Sequence, residues 1–398
     1  KLDYDKKNLF INGDGNILFQ TNNDKIKYNI KKNSKKSDFS SYLTISDNEF
    51  LIDILNFKKK NDSKLKVSLD GSYFSDKKTT FNVISLEENK NKIIINNLVI
   101  DKDLKFESLK SGSLNYLDID EKMNKVSLFK KKKNYFVEGL SFNANSLIKN
   151  LVDDNKDTDL NIFKENFNIT LDIDKVFLDK KYKVDKLKGL FYIKKNKILN
   201  ANLDALFDQN KVLKFTIDTN QEGKVTTLFM DNAEPMVNRY KFIKGFENGS
   251  LDFYSFKKRD KTVSTLKIYD FKLKELPVLT KLLTLASLQG IADTLSGEGI
   301  RFNEFEMNFE NQKNLITIKE IYAIGPAISL LMDGYVEKNK MISLRGTLVP
   351  ATTLNKVIGS IPLLGKILVG SKSGEGVFGV SFKIKGPPKN LETTVNPI

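Results

Sequence analysis

The sequence contains no cysteine, no histidine and no tryptophan. These absences exclude thiol nucleophiles, disulfides, Cys/His zinc sites, histidine acid–base chemistry and the Ser-His-Asp triad. The phosphate-binding G-x-x-x-x-G-K-[ST] pattern, a glycine-rich dinucleotide turn and the calcium-loop spacing are missing as well. We therefore expect a protein that is not an enzyme, with no catalytic residue, no cofactor and no metal site.

Arginine is scarce in an otherwise basic chain. Only four of the 65 basic residues are Arg, and the formal net charge is +15. Proteins that read nucleic acid usually rely on Arg for bidentate contacts to bases and phosphates, and here the Lys residues are spread along the chain. The charge has two interpretations, a Lys/Asn/Ile bias of composition or attraction to an anionic surface such as lipid headgroups. We expect no nucleic acid partner.

Long apolar runs are also absent. No stretch of 18 or more residues is uninterruptedly apolar, so we expect no membrane-spanning helix in this sequence. Its first residue is Lys, which predicts a fragment of a longer chain or a processed product. The hydrophobic fraction of 40% and the charged fraction of 29% are typical of a folded protein.

The sequence is rich in alternation with a period of two. In residues 167–174, Phe, Ile, Leu and Ile alternate with Asn, Thr, Asp and Asp, and residues 302–309 alternate more loosely. This is the pattern of half-buried strands. Lys/Asn segments separate such runs, and Asn tolerates the left-handed conformation of tight hairpins. We predict a mainly β chain, a long antiparallel meander with hairpin tips at residues 89–91, 130–134, 194–197, 311–314 and 337–340. Its strands often end at a Gly, as at Gly139, Gly189, Gly334 and Gly346.

Helix signals are few. Residues 143–154 could form one or two turns, and the polar residues 153–159 are the best linker candidate, which divides the chain into regions 1–152 and 153–398. The strongest helical segment is residues 276–295, where Pro277 suits a first turn, Gly290 suits a kink and Gly297 a stop. A second helix is predicted near residues 353–369, interrupted at Pro362.

A sheet of this length must bury its apolar face against something. One solution is a β-sandwich or barrel that closes on itself. The other is a long curved sheet whose apolar concave face is filled by a ligand such as acyl chains. Alternation alone does not separate the two.

Three segments of the C-terminal part resemble the AsmA-like superfamily of bacterial envelope proteins, and within it the YhdP branch. They are "DNAEPMVNRYKFIKGFENGSLDF" (residues 231–253), "DFKLKELPVLTKLLTLASLQGIADTLSGEGIRF" (270–302) and "GTLVPATTLNKVIGSIPLLGKILVGSKSGEGVFGVSFKIKGPPKNLETTVNPI" (346–398). The resemblance covers roughly residues 230–398. Residues 60–230 are similar to the family only in their general pattern of strand, turn and strand. Residues 1–60 are not assigned to any part of the family.

The resemblance implies a long β-groove lined with apolar side chains, through which phospholipid passes between the inner and outer membranes of the cell envelope. It implies a periplasmic location, an inner-membrane anchor that is absent from this chain, and no catalysis. The sequence departs from the family where it stops, at "VNPI", because relatives continue with a further short segment.

Two function hypotheses follow. In the first, phospholipid acyl chains lie in the groove between the two membrane surfaces, and the candidate lining residues are Phe167, Ile169, Leu171, Ile173, Phe191, Ile193, Phe305, Met307 and Phe309. In the second, suggested by relatives of the TamB type, the protein helps to assemble other envelope proteins or glycolipids by adding strands at its sheet edge.

The helical segments have two interpretations as well. They could cap the end of the sheet, or they could lie at a membrane surface or at the mouth of the groove. The candidate residues for the membrane or groove-mouth role are Leu279, Leu282, Leu283, Ala286, Ile361, Leu364, Ile367 and Leu368.

Overall fold

The computed structural model describes residues 2–5, 8–75, 78–153, 166–194, 197–239, 244–275, 277–285, 288–350, 380–388 and 390–397. The chain divides into two compact units, Lys1–Asp208 (unit 1) and Gln209–Ile398 (unit 2). The boundary predicted between residues 152 and 153 falls inside unit 1, next to residues outside the described ranges, and stays a prediction. The predicted fold class is confirmed, since the described chain is mainly β with mostly antiparallel strands and a few short helices.

Unit 1 is a sheet of consecutive strands. They are β1 (Leu2–Asp5), β2 (Asn8–Phe19), β3 (Asn22–Lys32), β4 (Lys36–Ile45), β5 (Leu51–Ile52), β6 (Phe57–Lys58), β7 (Leu65–Phe74), β8 (Thr79–Glu88) and β9 (Asn91–Ile100). Then come β10 (Phe106–Ser108), β11 (Ser111–Leu117), β12 (Met123–Lys131), β13 (Asn134–Asn143), helix α1 (Asn145–Asp153), β14 (Phe167–Phe177), β15 (Lys183–Lys194) and β16 (Lys197–Leu206). β5 and β6 form a separate two-stranded ribbon.

The predicted hairpin tips are turns wherever they are described. Asn89 (φ 53°), Lys132 (φ 56°), Lys313 (φ 56°) and Asn339 (φ 60°) adopt the left-handed conformation. Residues 195–196 of the remaining tip lie outside the described ranges. Tight turns of this kind join neighbouring antiparallel strands, so most strands pair with the next one along the chain.

One pair departs from the predicted antiparallel meander. β13 and β14 are parallel, with Val137 opposite Leu171. Parallel neighbours cannot be joined by a hairpin and need a crossover connection. The connection here includes α1, the helix predicted in residues 143–154.

Unit 2 has the strands β17 (Val212–Thr219), β18 (Lys224–Met230), β19 (Lys244–Lys258), β20 (Lys261–Glu275), β21 (Ile300–Gln312), β22 (Leu315–Ile324), β23 (Ile328–Glu337), β24 (Met341–Pro350), β25 (Val380–Gly386) and β26 (Glu392–Pro397). Its helices are α2 (Glu234–Val237), α3 (Pro277–Leu285) and α4 (Gln289–Ser296). In the described part of unit 2, each strand pairs antiparallel with its neighbour in sequence.

The long helix predicted over residues 276–295 is two helices. It begins at Pro277 and is followed by Gly297, as predicted. Leu288 is non-helical (φ −101°, ψ 48°), and its N–H donates to the carbonyl oxygen of Leu283 at 2.8 Å. The break therefore precedes Gly290, the position predicted for a kink. The helix predicted near residues 353–369 lies outside the described residues.

The prediction that strands end at glycines is wrong. Gly139, Gly189, Gly334 and Gly346 lie inside β13, β15, β23 and β24. A Cβ at Gly346 would collide with the carbonyl oxygen of Leu331 and lie 2.7 Å from the ring of Phe382. Such a glycine marks a close approach of a neighbouring strand or side chain. Among the described residues, no helix is long and apolar enough to span a membrane.

Candidate apolar binding faces

The strand register of unit 1 aligns apolar side chains into one continuous face. Residues directly opposite each other in neighbouring strands project to the same side of a sheet. The unit 1 face, as we call it, comprises Ile11, Ile30, Phe39, Leu43, Val67, Leu69, Ile84, Ile95, Leu114, Leu128, Val137, Ile169, Leu171, Leu187, Phe191 and Leu203. The face spans β2 to β16. It therefore includes residues from the N-terminal part of the chain, which the sequence resemblance does not cover.

These side chains are half-buried. The other side of the same strands is mainly polar, as in Lys27, Asn29, Ser40, Asp70, Asn115, Glu138, Asp172 and Asn202. In the part of unit 1 that the structure describes up to β16, the regular elements outside the main sheet are α1, β5, β6 and a 3₁₀ turn at Asp53–Leu55. These elements are too few to cover a face of this length.

One end of the unit 1 face is closed by residues 46–64, which we call the cap segment. Its Phe57 is buried in a cluster with residues at the ends of neighbouring strands: Ile45, Leu65, Leu86, Ile93 and Tyr116. Phe50, Ile52 and Leu55 of the cap segment pack against this cluster. The rings of Phe57 and Tyr116 are nearly perpendicular, with their centroids 5.5 Å apart. Apolar burial therefore holds the cap segment on the strand ends.

Buried polar groups fix the position of the cap segment. Asn48 donates to Asp24 Oδ2 at 2.7 Å, and Asp24 Oδ1 accepts the N–H of Ser46 at 2.8 Å. Glu88 Oε1 accepts the N–H of Lys60 at 2.7 Å and the hydroxyl of Ser63. Since these carboxylates are buried, they need such partners. A displaced cap segment would remove both of these donors from Asp24 and would leave Glu88 with the amide of Asn91, 3.1 Å from its Oε2.

Asp120 anchors the cap segment from the β11–β12 turn. Its Oδ2 accepts from Asn56 Nδ2 at 3.0 Å, and its Oδ1 lies 3.2 Å from Lys180 Nζ. Burial pushes the pKa of Asp120 upward, but the hydrogen bond and charge of Lys180, with the amides of Asn56 and Asn143, hold that pKa below its usual range. The carboxylate form is therefore the one that the fold stabilises.

The opposite end of the unit 1 face has its own cluster, the far-end cluster of Tyr135, Phe167 and Ile193. Phe106, Leu109 and Ile169 pack against it. Two predicted lining residues, Phe167 and Ile193, are thus only 6% and 8% exposed and are covered by the protein's own side chains. They lie directly opposite each other in β14 and β15.

The other predicted residues of unit 1 lie on the same face. Ile173 is buried. Ile169 is half-buried beside the far-end cluster. Leu171 and Phe191 are half-buried and belong to neither cluster. The alternation in residues 167–174 therefore corresponds to apolar side chains on one side of the strand, while the degree of burial depends on contacts from distant segments.

Unit 2 carries a second continuous apolar face. The unit 2 face comprises Leu213, Phe215, Leu228, Met230, Leu251, Phe253, Leu266, Ile268, Phe305, Met307, Phe309, Ile318, Ile321, Ala323, Leu330, Met332, Leu344, Leu348, Val380, Phe382 and Ile384. The predicted residues Phe305, Met307 and Phe309 all lie on it and are half-buried. The structure thus brings these three together with Leu266 and Ile268.

The reverse side of unit 2 carries paired polar groups in β20 to β22. Lys267 contacts Glu306 at 2.8 Å, and Tyr322 donates to the same carboxylate at 2.6 Å. Burial, with the hydrogen bonds to Glu306 and Glu304, raises the pKa of Tyr322, which keeps the phenol protonated as a donor. Hence the two sides of the unit 2 sheet differ in polarity at these strands, whereas Val225, Phe256 and Val263 make the reverse side apolar farther along β18 to β20.

Of the helix candidates, Leu279, Leu282 and Leu283 of α3 are buried inside unit 2. α3 packs against β26 and α4, and α4 packs against β20. This arrangement favours the cap interpretation for α3 over a membrane-surface role. The candidates Ala286, Ile361, Leu364, Ile367 and Leu368 lie outside the described residues.

Sequence reasoning missed the cap segment. Its apolar residues follow neither helical nor strand periodicity, and its partners Asp24, Glu88 and Tyr116 are distant in sequence. The available signal was a cluster of Asp, Asn and Ser residues between two strand patterns.

Comparisons with known proteins identify no relative. No protein-family model, no curated protein and no solved structure matches this chain.

Proposed function

We propose that this protein binds phospholipid acyl chains on its apolar faces and, without catalysis, takes part in phospholipid transport between the inner and outer membranes of the Gram-negative cell envelope. The observation that carries the proposal is the long row of apolar side chains on one side of each sheet, which are half-buried throughout the unit 1 face and at about half of the positions of the unit 2 face. The resemblance of residues 230–398 to AsmA-like proteins supports the envelope location.

The energetics favour an apolar ligand. Half-buried side chains such as Leu171, Phe191, Phe253 and Met307 keep part of their surface in water. Covering apolar surface is favourable by about 25 cal/mol per Å². A flexible acyl chain lying across several strands would cover many such side chains without demanding hydrogen bonds.

Lipid extraction followed by mass spectrometry tests the proposal. Purified protein should carry phospholipid, and Phe253→Asp should lose it because the carboxylate would enter the apolar face. Tyr254→Asp is the matched control, since the adjacent Tyr254 lies on the reverse side and is 49% exposed. If the wild-type protein carries no lipid and transfers none between vesicles, the proposal is wrong.

A second candidate function is envelope assembly by strand addition. It is favoured by the incomplete pairing of β2, because β1 covers only Asn8–Ile11. In the described chain, residues 13–19 of β2 have one strand partner, β3. Under this alternative, Phe253→Asp would leave activity intact as long as the protein folds.

A further inference from the structure

The strand ends of unit 1 that lie opposite the cap segment form a surface rich in lysine. Turns at these ends are adjacent in space. The N–H of Ser75 donates to the carbonyl oxygen of Lys35, and the N–H of Lys130 donates to that of Lys110, both at 2.9 Å. We call this surface the lysine rim and define it as residues 31–36, 101–105, Lys110 and 130–134, most of which are Lys.

Much of the positive charge of the lysine rim is uncompensated. The carboxylates nearby are paired, Asp38 with Lys36 at 2.8 Å and Glu107 with Lys78 at 3.1 Å. Several exposed lysines of the rim form no ion pair with any residue that the structure describes: Lys32, Lys35, Lys110, Lys132 and Lys133. The rim therefore presents a cluster of unpaired cations to solvent.

The opposite strand ends of unit 1, at the cap segment, are mixed in charge. The turn at residues 118–122 contains two Asp, one Glu and one Lys, and the cap segment contains both acidic and basic residues. The ten residues of β9 separate the two ends by roughly 30 Å, at about 3.4 Å per residue. Salt screens attraction between exposed charges over about 8 Å at physiological ionic strength. An anionic partner is therefore attracted to the rim end alone.

An apolar side chain projects from the lysine rim. Leu104 is 77% exposed and left-handed (φ 59°), a conformation that is uncommon for Leu. Asp101 stabilises this turn, because its Oδ1 accepts the N–H of Lys105 at 2.8 Å. The turn follows Ile100, which lies opposite Thr79 at the start of β8. An exposed Leu between lysines suits a membrane interface, where apolar groups enter the acyl boundary and cations meet the headgroups.

The composition of unit 1 favours lipid over nucleic acid as the anionic partner. The four Arg residues of the chain, the first of which is Arg239, all lie in unit 2. Nucleic-acid recognition relies on the bidentate contacts of Arg. Clusters of four or more lysines, such as residues 130–133, are typical of segments that bind anionic lipid headgroups.

We propose that the lysine rim docks unit 1 on the surface of an anionic phospholipid membrane. Its exposed lysines contact the phosphates, and Leu104 enters the boundary between headgroups and acyl chains. The far-end cluster lies at the same strand ends, so docking turns that end of the unit 1 face toward the membrane and the cap segment away from it. This inference goes beyond acyl binding, because it depends on the rim and not on the apolar faces.

Flotation of the full chain with vesicles tests the proposal. Wild-type protein should bind vesicles of phosphatidylglycerol and phosphatidylcholine in equal parts at low salt. It should bind far less to phosphatidylcholine alone or in about 0.5 M salt. Lys132→Gln/Lys133→Gln should lower the partition coefficient roughly 30-fold. Leu104→Asn should lower it roughly tenfold, and Asn tolerates the left-handed conformation.

Matched controls lie at the cap end of unit 1. Lys64→Gln/Lys90→Gln removes the same charge from exposed lysines, and Leu51→Asn changes a side chain that is 50% exposed. Each control should change the partition coefficient by less than about twofold, because its site is distant from the rim. Equal losses in the rim and control variants would show general attraction and overturn the proposal. Unaltered binding of both rim variants would overturn it too, as would equally tight binding of wild type to phosphatidylcholine alone.

A double-stranded DNA fragment is the competing anion. DNA that binds wild type as tightly as the anionic vesicles do, and loses affinity equally in Lys132→Gln/Lys133→Gln, would make the rim a nucleic-acid surface and overturn the proposal. Weaker DNA binding supports the membrane. Circular dichroism of each variant checks that its fold is retained.

Flotation and lipid extraction separate this inference from the proposed function. A protein that floats with anionic vesicles but carries and transfers no phospholipid supports docking and contradicts acyl binding. A protein that carries phospholipid but does not float contradicts docking alone.

Discussion

The hydroxyl of Tyr116 donates a 2.6 Å hydrogen bond to the carbonyl oxygen of Leu55, across 61 residues of sequence. Tyr116 is fully buried, and its burial and the nearby charge of Asp118 raise its pKa, so the phenol stays a donor. This bond joins the cap segment to β11 at the closed end of the unit 1 face.

Tyr116→Phe should therefore lower the free energy of unfolding by about 1–2 kcal/mol, because the Leu55 carbonyl loses its donor while the ring still packs on Phe57. Urea denaturation measures the change. Tyr42→Phe, at a 56% exposed position, is the control and should change stability by less than about 0.5 kcal/mol. Equal effects at both positions would show that the bond contributes nothing.

Leu283 and Leu285 test the role of α3. Leu283 is 0% exposed and Leu285 is 49% exposed on the same helix. Leu283→Ala should cost about 2–5 kcal/mol of stability through the cavity it leaves, and Leu285→Ala less than about 0.5 kcal/mol. Thermal or urea unfolding measures both. A stable Leu283→Ala protein that loses vesicle binding would contradict the cap interpretation.

Gly71 and Gly15 test the close approaches within the unit 1 sheet. A Cβ at Gly71 would collide with the backbone of Thr80 and lie 2.8 Å from the ring of Phe39, whereas a Cβ at Gly15 would meet nothing within 4 Å. Gly71→Ala should destabilise by about 1–3 kcal/mol. Gly15→Ala should be neutral or stabilise by up to about 1 kcal/mol, because it restricts the unfolded chain. Denaturation of the two variants side by side measures both effects. A Gly15→Ala protein that is less stable than the Gly71→Ala protein would contradict the prediction.

Asp120 makes one part of the stability depend on pH. Its pKa is lower in the folded protein than in the unfolded chain, where it is about 3.9. The folded state therefore binds this proton less tightly, and the stability from the carboxylate is present above the unfolded pKa and lost as pH falls through the folded pKa. Asp120→Asn should be less stable than wild type at pH 7, by no more than about 1 kcal/mol because Lys180 is largely exposed. The difference should be smaller at pH 2, below the unfolded pKa.

Urea titrations at the two pH values measure this effect. Asp172→Asn is the control, because Asp172 and its partner Lys188, 3.5 Å away, are both exposed. It should change little at either pH. A difference for Asp120→Asn that persists unchanged at pH 2 would mean that the side-chain shape, and not its charge, anchors the cap segment.

Local patterns predicted the strands and turns well because both signals are local. Alternation in residues 167–174 depends on neighbours two positions apart, and the left-handed turn at Asn339 depends on a single residue. The helical stripe with Leu279, Leu282 and Leu283 was also visible. What it packs against was not, since β26 follows more than a hundred residues later.

The arrangement of the faces needed long-range information. Thr226, Ser255 and Ser264 form a row only because the register of β18, β19 and β20 aligns them. In sequence each looks like an ordinary polar residue within a strand. The parallel pairing of β13 with β14 was equally hidden, because alternation is the same in parallel and antiparallel strands.

Pairing between sequence neighbours has a consequence for how such a protein changes size. In the described part of unit 2, every strand contacts its immediate neighbours in sequence, so stability is close to a sum of adjacent hairpin terms, as in repeat proteins. Each added hairpin widens the apolar face by about 10 Å, because strands are about 4.8 Å apart. Gene segments that encode one hairpin could be gained or lost without redesigning the rest, and the area of the apolar face would grow or shrink in steps of two strands.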